Sequence, residues 1–558
     1  MTLLSIVTGT YNRLTYLQRM IASARANWPR HLSMEFVIVD GGSTDGTQAW
    51  IEEQSDCRLI QHPGLFGAIK AFGDGARAAS GDYVVMANDD IEFRPYSLLR
   101  ALSFLESHPT CGAVAFADNR HTQVTGGQGY QVMHMPALNT DGKPVTVHYA
   151  QVGMVRRWLG ERCGWWGDQD PVMSKARTYG GDNFLSSRIW ELGYSVDAVD
   201  GCEVDDLLPR DALRTQNNQT GERDSAQYYS RYPRGAQLRN TVAVPNPQTE
   251  HLRVLLMDIH EPALPARKAK EQGLAEALAR VGLCWEIDYV NEPWDLPAAV
   301  RIWQPHLLLT QIHDGQHITA TVLSQARAER PEMVVVNWNG DAHESGLIGS
   351  TILEVLRYVD LQTVVNTAVL PVYERQGIRA AYWQIGYKDP AEPYTGPIPE
   401  WDVLFLGNCY NDERHALIRA LQSIGGLRLG VYGNCPGTAG NTHYDFALST
   451  ALYQRCQIAV SDTYPGTEGF VSNRLFQALA AGAFVMQQHS PRLDELTGLK
   501  AGTHYVEWTD LSDLKRKIRK WRNSDGKGLR RKIAEAGQEY VRREFSYDAQ
   551  VRKLLEML

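Results

Sequence analysis

The chain has 558 residues, 43% apolar and 22% charged, a length too great for one hydrophobic core and suited to roughly three to four packing units of ~150 residues. Lys and Arg number 56 and Asp and Glu 64, giving a formal charge of −8. That balance excludes a general electrostatic coating of nucleic acid or anionic membrane, though not a local basic groove.

The eight cysteines (Cys57, Cys111, Cys163, Cys202, Cys284, Cys409, Cys435, Cys456) form no C-x-x-C pair and have no histidine at zinc spacing. Reduced structural thiols are the expectation, with neither disulfide nor structural zinc. The opening "MTLLSIVTGTYNR" reaches a polar turn too soon to hold a signal-peptide core. No window approaches the ~18 uninterrupted apolar residues of a membrane helix, so a cytoplasmic location is expected.

From Met1 to about Asp118, strand "LLSIVTG" leads to a helix carrying Leu14, Leu17, Ile21, Ala24 and Trp28 on one face. Then follow strand "MEFVIVD", helix "GTQAWIEEQ", strand "RLIQH", helix "FGAIKAFGDGARAA", strand "DYVVMA", helix "YSLLRALSFLES" and strand "GAVAFA". This βαβ succession predicts an α/β domain with a mostly parallel sheet. Between Asn119 and Asn240 the pattern loosens around one clear helix, "DNFLSSRIWELG", and reads as the acceptor-facing half of the same domain.

The proline-bearing "VAVPNPQTEH" predicts a linker over about 241–250. A second βα series from "LRVLLMDI" to "AAYWQIG" follows, then a third from "WDVLFLGN" to "AFVMQQ", and finally a basic amphipathic tail. The predicted organisation is a first domain over 1–240 and two Rossmann-like lobes, 251–395 and 396–558. The tail reads as closing helices with a solvated, mixed-charge face.

Three polar clusters fall at strand ends of the first domain: "TGTYNR", "VDGGSTDGT" and "ANDDIEF". Each alone also reads as a turn or a helix cap. Two adjacent carboxylates at the end of a buried strand either face solvent or hold a cation. Over about Thr2 to Tyr194 the chain resembles glycosyltransferase family 2, inverting enzymes of the GT-A fold, through "VTGTYNR", "VDGGSTDGT", "ASGDYVVMANDD" and "GGDNFLSSRIWELGY".

The resemblance implies a donor site containing Thr10, Tyr11, Arg13 and Asn88, with Asp40 on the nucleobase and Asp45 near the nucleotide pocket. It implies that Asp89 and Asp90 occupy the D-x-D segment and hold Mn²⁺ or Mg²⁺ against the donor diphosphate, a task that suits carboxylate oxygens. Ala87 or Asn88 stands where the family has its first acidic residue. Asp182 is the implied base that takes the acceptor's proton, although an Asp there also reads as a helix N-cap. In "CEVDDLLPRD", Asp205 and Asp206 stand where the family often has a metal-binding His, and Asp205 is the candidate ligand. Trp165, Trp166 and Tyr179 flank this region as sugar-stacking or core aromatics.

The third series contains "SDTYPGTEGFVSNRLFQALAAGAFVMQQ", a Gly-bounded loop entering a helix, and a helix N-terminus suits a diphosphate. It resembles the C-terminal lobe of GT-B glycosyltransferases of the group 1 type, particularly the CgeB-like group. The resemblance implies a donor pocket of Glu468, Gly469, Ser472, Asn473 and Arg474, faced by Gly407 and Asn408. Gln477 stands where the group usually has a Glu that grips the ribose, and an amide makes the weaker bond. Asp341 and His343 in "VNWNGDAHES" are further cleft candidates, His343 reading equally as a loop histidine.

The expectation is a bifunctional, hexosyltransferase-type enzyme that takes UDP-, GDP- or dTDP-sugars to a glycan, polysaccharide or glycoprotein. One alternative keeps only the GT-A half catalytic, with the GT-B half a binding or scaffold module. Another, transfer to modified DNA bases, predicts salt-sensitive duplex binding and is disfavoured by the acidic balance.

Overall fold

The computed structural model describes residues 3–120, 129–207, 211–258, 265–288, 295–312, 318–340, 348–390, 392–409, 411–440, 445–463, 469–523 and 527–558. The chain divides into two compact units, Met1–His251 and Leu252–Leu558.

Unit 1 is built on β1 (Leu4–Thr10), β2 (Met34–Asp40), β3 (Cys57–Gln61), β4 (Tyr83–Met86), β5 (Ile91–Phe93), β6 (Cys111–Asp118), β7 (His134–Leu138), β8 (Pro144–His148), β9 (Gly153–Arg156), β10 (Ser195–Asp206) and β11 (Ala236–Gln237). Its main sheet runs β3-β2-β1-β4-β9-β6-β10-β5. The β3-β2-β1-β4 half is parallel. β1 and β4 are buried almost throughout, and β4 is apolar from end to end, as a parallel sheet covered on both faces requires. Helix α1 (Leu14–Ala26) buries Leu17, Met20, Ile21 and Ala24, the single stripe that a 3.6-residue period produces.

The mostly parallel sheet needs one correction. β9 inserts antiparallel between β4 and β6, and β5 closes the edge antiparallel to β10. The segment read as loose therefore supplies two strands of the main sheet and a small sheet, β11-β7-β8. The reason is length: "GMVR" has four residues, all buried, and too few to show a period. The predicted linker is tied to unit 1, since Tyr194 donates to the Val244 carbonyl at 2.6 Å and Arg156 to Gln248 at 3.1 Å.

Unit 2 contains two fully parallel sheets. The first, in order β13-β12-β14-β15-β16-β17, comprises β12 (Arg253–Asp258), β13 (Leu283–Asp288), β14 (Leu307–Thr310), β15 (Val334–Asn339), β16 (Leu361–Val364) and β17 (Ala380–Tyr382). The second, in order β19-β18-β20-β21-β22, comprises β18 (Trp401–Leu406), β19 (Leu429–Tyr432), β20 (Cys456–Ser461), β21 (Val485–Gln488) and β22 (Val506–Trp508). The last helix, Tyr547–Glu556, returns to the first of these lobes. Its Tyr547, Val551 and Leu554 join the core of Val254, Leu278 and Trp383, and Trp383 donates to the Gln550 carbonyl at 2.9 Å.

The expectation of no disulfide is also corrected: Cys409 and Cys435 are joined. β18 and β19 are adjacent and parallel, with Leu406 opposite Tyr432. The loops leaving their common end therefore bring together cysteines 26 residues apart, a pairing that spacing cannot show. Among the described residues no helix is long and apolar enough to cross a membrane.

Candidate active site

β1, β2 and β4 end on one edge of the sheet in unit 1, and the segments leaving it line a cavity of about 380 Å³, a size typical of small-ligand pockets, roughly 300–1,000 Å³. β1 contributes Thr10, Tyr11 and Arg13, and β4 contributes Asn88, Asp89 and Asp90. Opposite them stand Tyr179 and Asp182, with Leu213, Arg214, Asn217 and Asn218.

At the floor, Arg13 Nη1 donates to Asp89 at 3.0 Å and to Asp90 at 3.1 Å, while its Nε donates to Asp211 at 2.7 Å. Thr10 donates its hydroxyl to the second oxygen of Asp89 at 2.9 Å. Arg214 reaches Asp90 at 3.3 Å and Asp206 at 3.5 Å, and Arg120 donates to Asp206 at 2.8 Å. Among the described residues, Asp89, Asp90, Asp206 and Asp211 thus face the guanidiniums of Arg13, Arg120 and Arg214. Burial and the neighbouring Asp90 push the Asp89 carboxyl up to about 7 against the pull of Arg13 and Thr10. Asp90 is raised by burial and by Asp206.

Asp182 is half-buried at the second position of the helix Gly181–Glu191. The cap position belongs to Gly180, with φ 91°, so the side chain is not spent on capping. It accepts the Asn183 N–H at 2.9 Å and opens onto the cavity. Burial pushes it up to about 6, outweighing its backbone bonds and the charge of Arg120.

Several expected residues are used differently. Asp40 is fully buried and accepts from the Gly42 and Ser43 N–H groups, both at 2.9 Å, from the Ser43 hydroxyl and from Gln48 at 2.6 Å. It organises the turn and is not among the residues lining the cavity. Asp45 likewise serves local structure, accepting from the Leu14 N–H at 3.1 Å and the Thr47 hydroxyl at 2.5 Å. Burial opposes its charge, but these bonds hold its carboxyl below the usual range.

Asp205 pairs with Asn119 at 2.9 Å and Tyr130 at 2.6 Å. Its neighbour Asp206 reaches the arginines of the floor, because successive strand residues face opposite ways. Trp165 and Trp166 are core residues, 2% and 5% exposed, and only Tyr179 among the three aromatics is open at 37%.

Sequence reasoning missed Arg120, Arg214 and Asp211. The last two had one signal: Asp211 caps the helix Ala212–Asn218 and accepts the Arg214 N–H at 2.8 Å, so a D-x-x-R helix start presents both to the site.

Gly67, on the cavity wall, has φ 93°, and a Cβ there would run into the carbonyl oxygen of Arg177. Gly67→Ala is expected to cost about 2–4 kcal/mol through backbone strain and overlap, read as a lower midpoint in urea unfolding; an unchanged midpoint would refute the close approach.

In unit 2, the Arg474 guanidinium donates to the Leu406 carbonyl at 2.9 Å, to Ser472 at 3.3 Å and to Asp462 at 3.3 Å. Asp462 also holds Arg414 at 2.6 Å, and Arg414 donates to the Asn408 carbonyl at 2.8 Å. Among the described residues these two guanidiniums share the Asp462 carboxylate beside the start of the helix Asn473–Ala480, and a helix N-terminus favours an anion. Gly407 lies against the Arg474 guanidinium, and a Cβ on it would make Arg474 Nη1 shift. Gly469 accepts from the Thr367 N–H at 3.3 Å, Asn473 accepts from Gln384, and Gln477 is half-buried in the helix. Glu468, Asp341 and His343 lie outside the described residues.

Residues 5–155 match the model of Glycosyl transferase family 2, and residues 414–556 match one described as Glycosyl transferase-like. An uncharacterized glycosyltransferase of Nostoc sp. is 29% identical over 119 residues, which are 21% of this chain and 36% of that protein. An N-acetylglucosaminyl-diphospho-decaprenol L-rhamnosyltransferase of Mycobacterium tuberculosis is 29% identical over 123 residues, 20% of this chain and 39% of that one. The chain thus spans well under half the length of these curated relatives.

Among solved structures, the mannosyltransferase PcManGT of Pyrobaculum calidifontis, in complex with GDP-Man and Mn²⁺, is 19% identical. The match covers 50% of this chain and 71% of that one, with a TM-score of 0.32. Sucrose-phosphate synthase of Thermosynechococcus elongatus is 14% identical, covering 55% and 98%, with a TM-score of 0.39. Both likenesses are too distant to bear on the site.

Proposed function

We propose that this chain, which carries a glycosyltransferase family 2 domain over residues 5–155 and a glycosyl transferase-like domain over 414–556, transfers sugar from a nucleoside-diphosphate donor to a glycan-type acceptor, with inversion in unit 1. The observation that carries this reading is Asp182, a carboxyl pushed up to about 6 that opens onto the same cavity as Asp89 and Asp90. A base of that strength is deprotonated at neutral pH yet basic enough to take a hydroxyl proton as its oxygen attacks the anomeric carbon. In-line attack with a single such base inverts the anomeric centre.

A divalent cation fits the floor. Asp89 and Asp90 already converge on one cationic nitrogen of Arg13, and both carboxyls are raised by burial and then by a neighbouring carboxylate. Among the described residues no cluster of three or more His, Cys, Asp or Glu could hold a metal. The pair therefore supplies two ligands and leaves the rest to phosphate and water, a common arrangement for Mg²⁺. Bound there, Mn²⁺ or Mg²⁺ would neutralise the departing diphosphate. Arg214 and Arg120 add fixed positive charge beside it, and Thr10 holds Asp89 in place.

In unit 2, the N-terminus of the helix Asn473–Ala480, with the Arg474 guanidinium beside the Leu406 carbonyl, supports a second donor site, hence a bifunctional enzyme. The acceptor we favour is a polysaccharide or a glycoprotein.

The full chain, incubated with UDP-, GDP- and dTDP-sugars and Mn²⁺, is expected to release nucleoside diphosphate from one of them. Chelation should abolish release from unit 1 and added metal should restore it. No release from any donor in the presence of metal sinks the proposal.

A further inference from the structure

The cavity of unit 1 is chemically divided. Its floor carries the aspartates and arginines, whereas the part beyond β2 and β3 is walled by Val39, Gly41, Leu65 and Phe66, with His62 among them. His62 follows β3 directly, its N–H donating to the Asp40 carbonyl at 2.8 Å. The Phe66 ring stands edge-on to the imidazole, centroids 5.3 Å apart, and is 52% exposed. A large aromatic left that open beside a cavity is not packing a core.

We propose that His62 and Phe66 read the nucleobase of the nucleoside diphosphate that this cavity takes. The inference rests on the donor reading above and deepens it. Asp40 spends Oδ2 on the Gly42 and Ser43 N–H groups and on Gln48, gives Oδ1 to the Ser43 hydroxyl, and is absent from the cavity wall, whereas His62 and Phe66 line it. A planar heterocycle needs a face to stack on and one polar group at its edge, and Phe66 and His62 supply these.

His62 is also set in one tautomer. Its Nε2 lies 3.0 Å from Asp74, a carboxylate that can only accept, so Nε2 is a donor and, in the neutral ring, Nδ1 is left as an acceptor. Asp74 is held ionised by Lys70 at 2.7 Å and Arg77 at 2.6 Å. Although burial opposes this, its carboxyl stays below the usual range. Nδ1 has no hydrogen-bond partner among the described residues. An acceptor in this position pairs with a ring or exocyclic N–H of the base. Asp74 is thus a positioning residue.

The test is calorimetric titration of the full chain with UDP, GDP, dTDP and inorganic pyrophosphate, in Mn²⁺, for the parent and for His62→Ala, Phe66→Ala and Asp89→Asn. Phe66 is exposed, so its variant keeps the fold even if His62→Ala does not. The expected result is a loss of about tenfold or more in affinity for the preferred nucleotide in both aromatic-site variants, with pyrophosphate binding unchanged. A site in unit 2 would show as a class insensitive to all three substitutions. Nucleotide binding that survives His62→Ala and Phe66→Ala but falls in Asp89→Asn overturns the inference and leaves the donor reading standing. Binding insensitive to every variant, or no binding by the parent, overturns both.

Discussion

Asp182→Asn is expected to lower kcat for transfer by unit 1 by about 10²–10⁴, the usual worth of a positioned base, while nucleotide binding persists. The amide keeps the size of the carboxylate and can still accept the Asn183 N–H, so only proton transfer is lost. In the parent, transfer should rise with pH through about 6 and then level off, because the base works only when ionised. Activity retained in the variant, or a parent profile flat from pH 5 to 7, would remove Asp182 from the mechanism.

The same substitution has a stability signature of opposite sign. The Asp182 carboxyl loses its proton near 3.8 when exposed but near 6 in the native state. Between those values the native chain binds more protons than the unfolded one, so stability falls as pH rises through that window and the cost persists above it. Asn carries no such cost. Above pH 6 the variant should melt no lower than the parent. A loss of activity accompanied by collapse of the melting temperature would indicate a structural residue instead.

Asp89→Asn is the second large effect. With one of the two carboxylates proposed to hold the metal gone, the floor should lose Mn²⁺-dependent nucleotide binding and about 10²–10³ in transfer, the scale of one electrostatic contact to developing charge. The fold should survive, since Arg13 keeps Asp90 and Asp211 and the substitution removes a charge that burial had made costly. The measurement is thermal stabilisation by nucleoside diphosphate with and without Mn²⁺. A variant whose response to Mn²⁺ matches the parent's would show that Asp89 does not hold the metal.

If unit 2 has its own donor site, Asp182→Asn also leaves a residual activity that Arg474→Ala removes. Complete silence of Asp182→Asn toward every donor would favour a scaffold role for unit 2.

Local chemistry was legible where an element is long enough to show its period. "MEFVIVD" is the strand β2 from end to end, its apolar run Phe36 to Val39 buried, because a strand covered on both faces has an apolar centre. The α1 stripe of Leu17, Ile21 and Ala24 was readable from spacing alone. The adjacency of Asn88, Asp89 and Asp90 at the end of β4 already said that the strand delivers carboxylates to an edge.

What the sequence by itself determined is therefore the βα order, the strand ends on which the polar clusters sit and the closing helix of unit 2, since these depend on neighbours along the chain. Tertiary structure alone decided that Asp206 and not Asp205 meets the arginines, that Asp40 faces its own turn, and that Arg120, Arg214 and Asp211 join Arg13. It also decided the bond between Cys409 and Cys435. The contacts of Asp206 and Arg13 depend on which side of a strand faces a partner up to some 198 residues away along the chain. Register and strand order set that choice, and a one-residue shift reverses it.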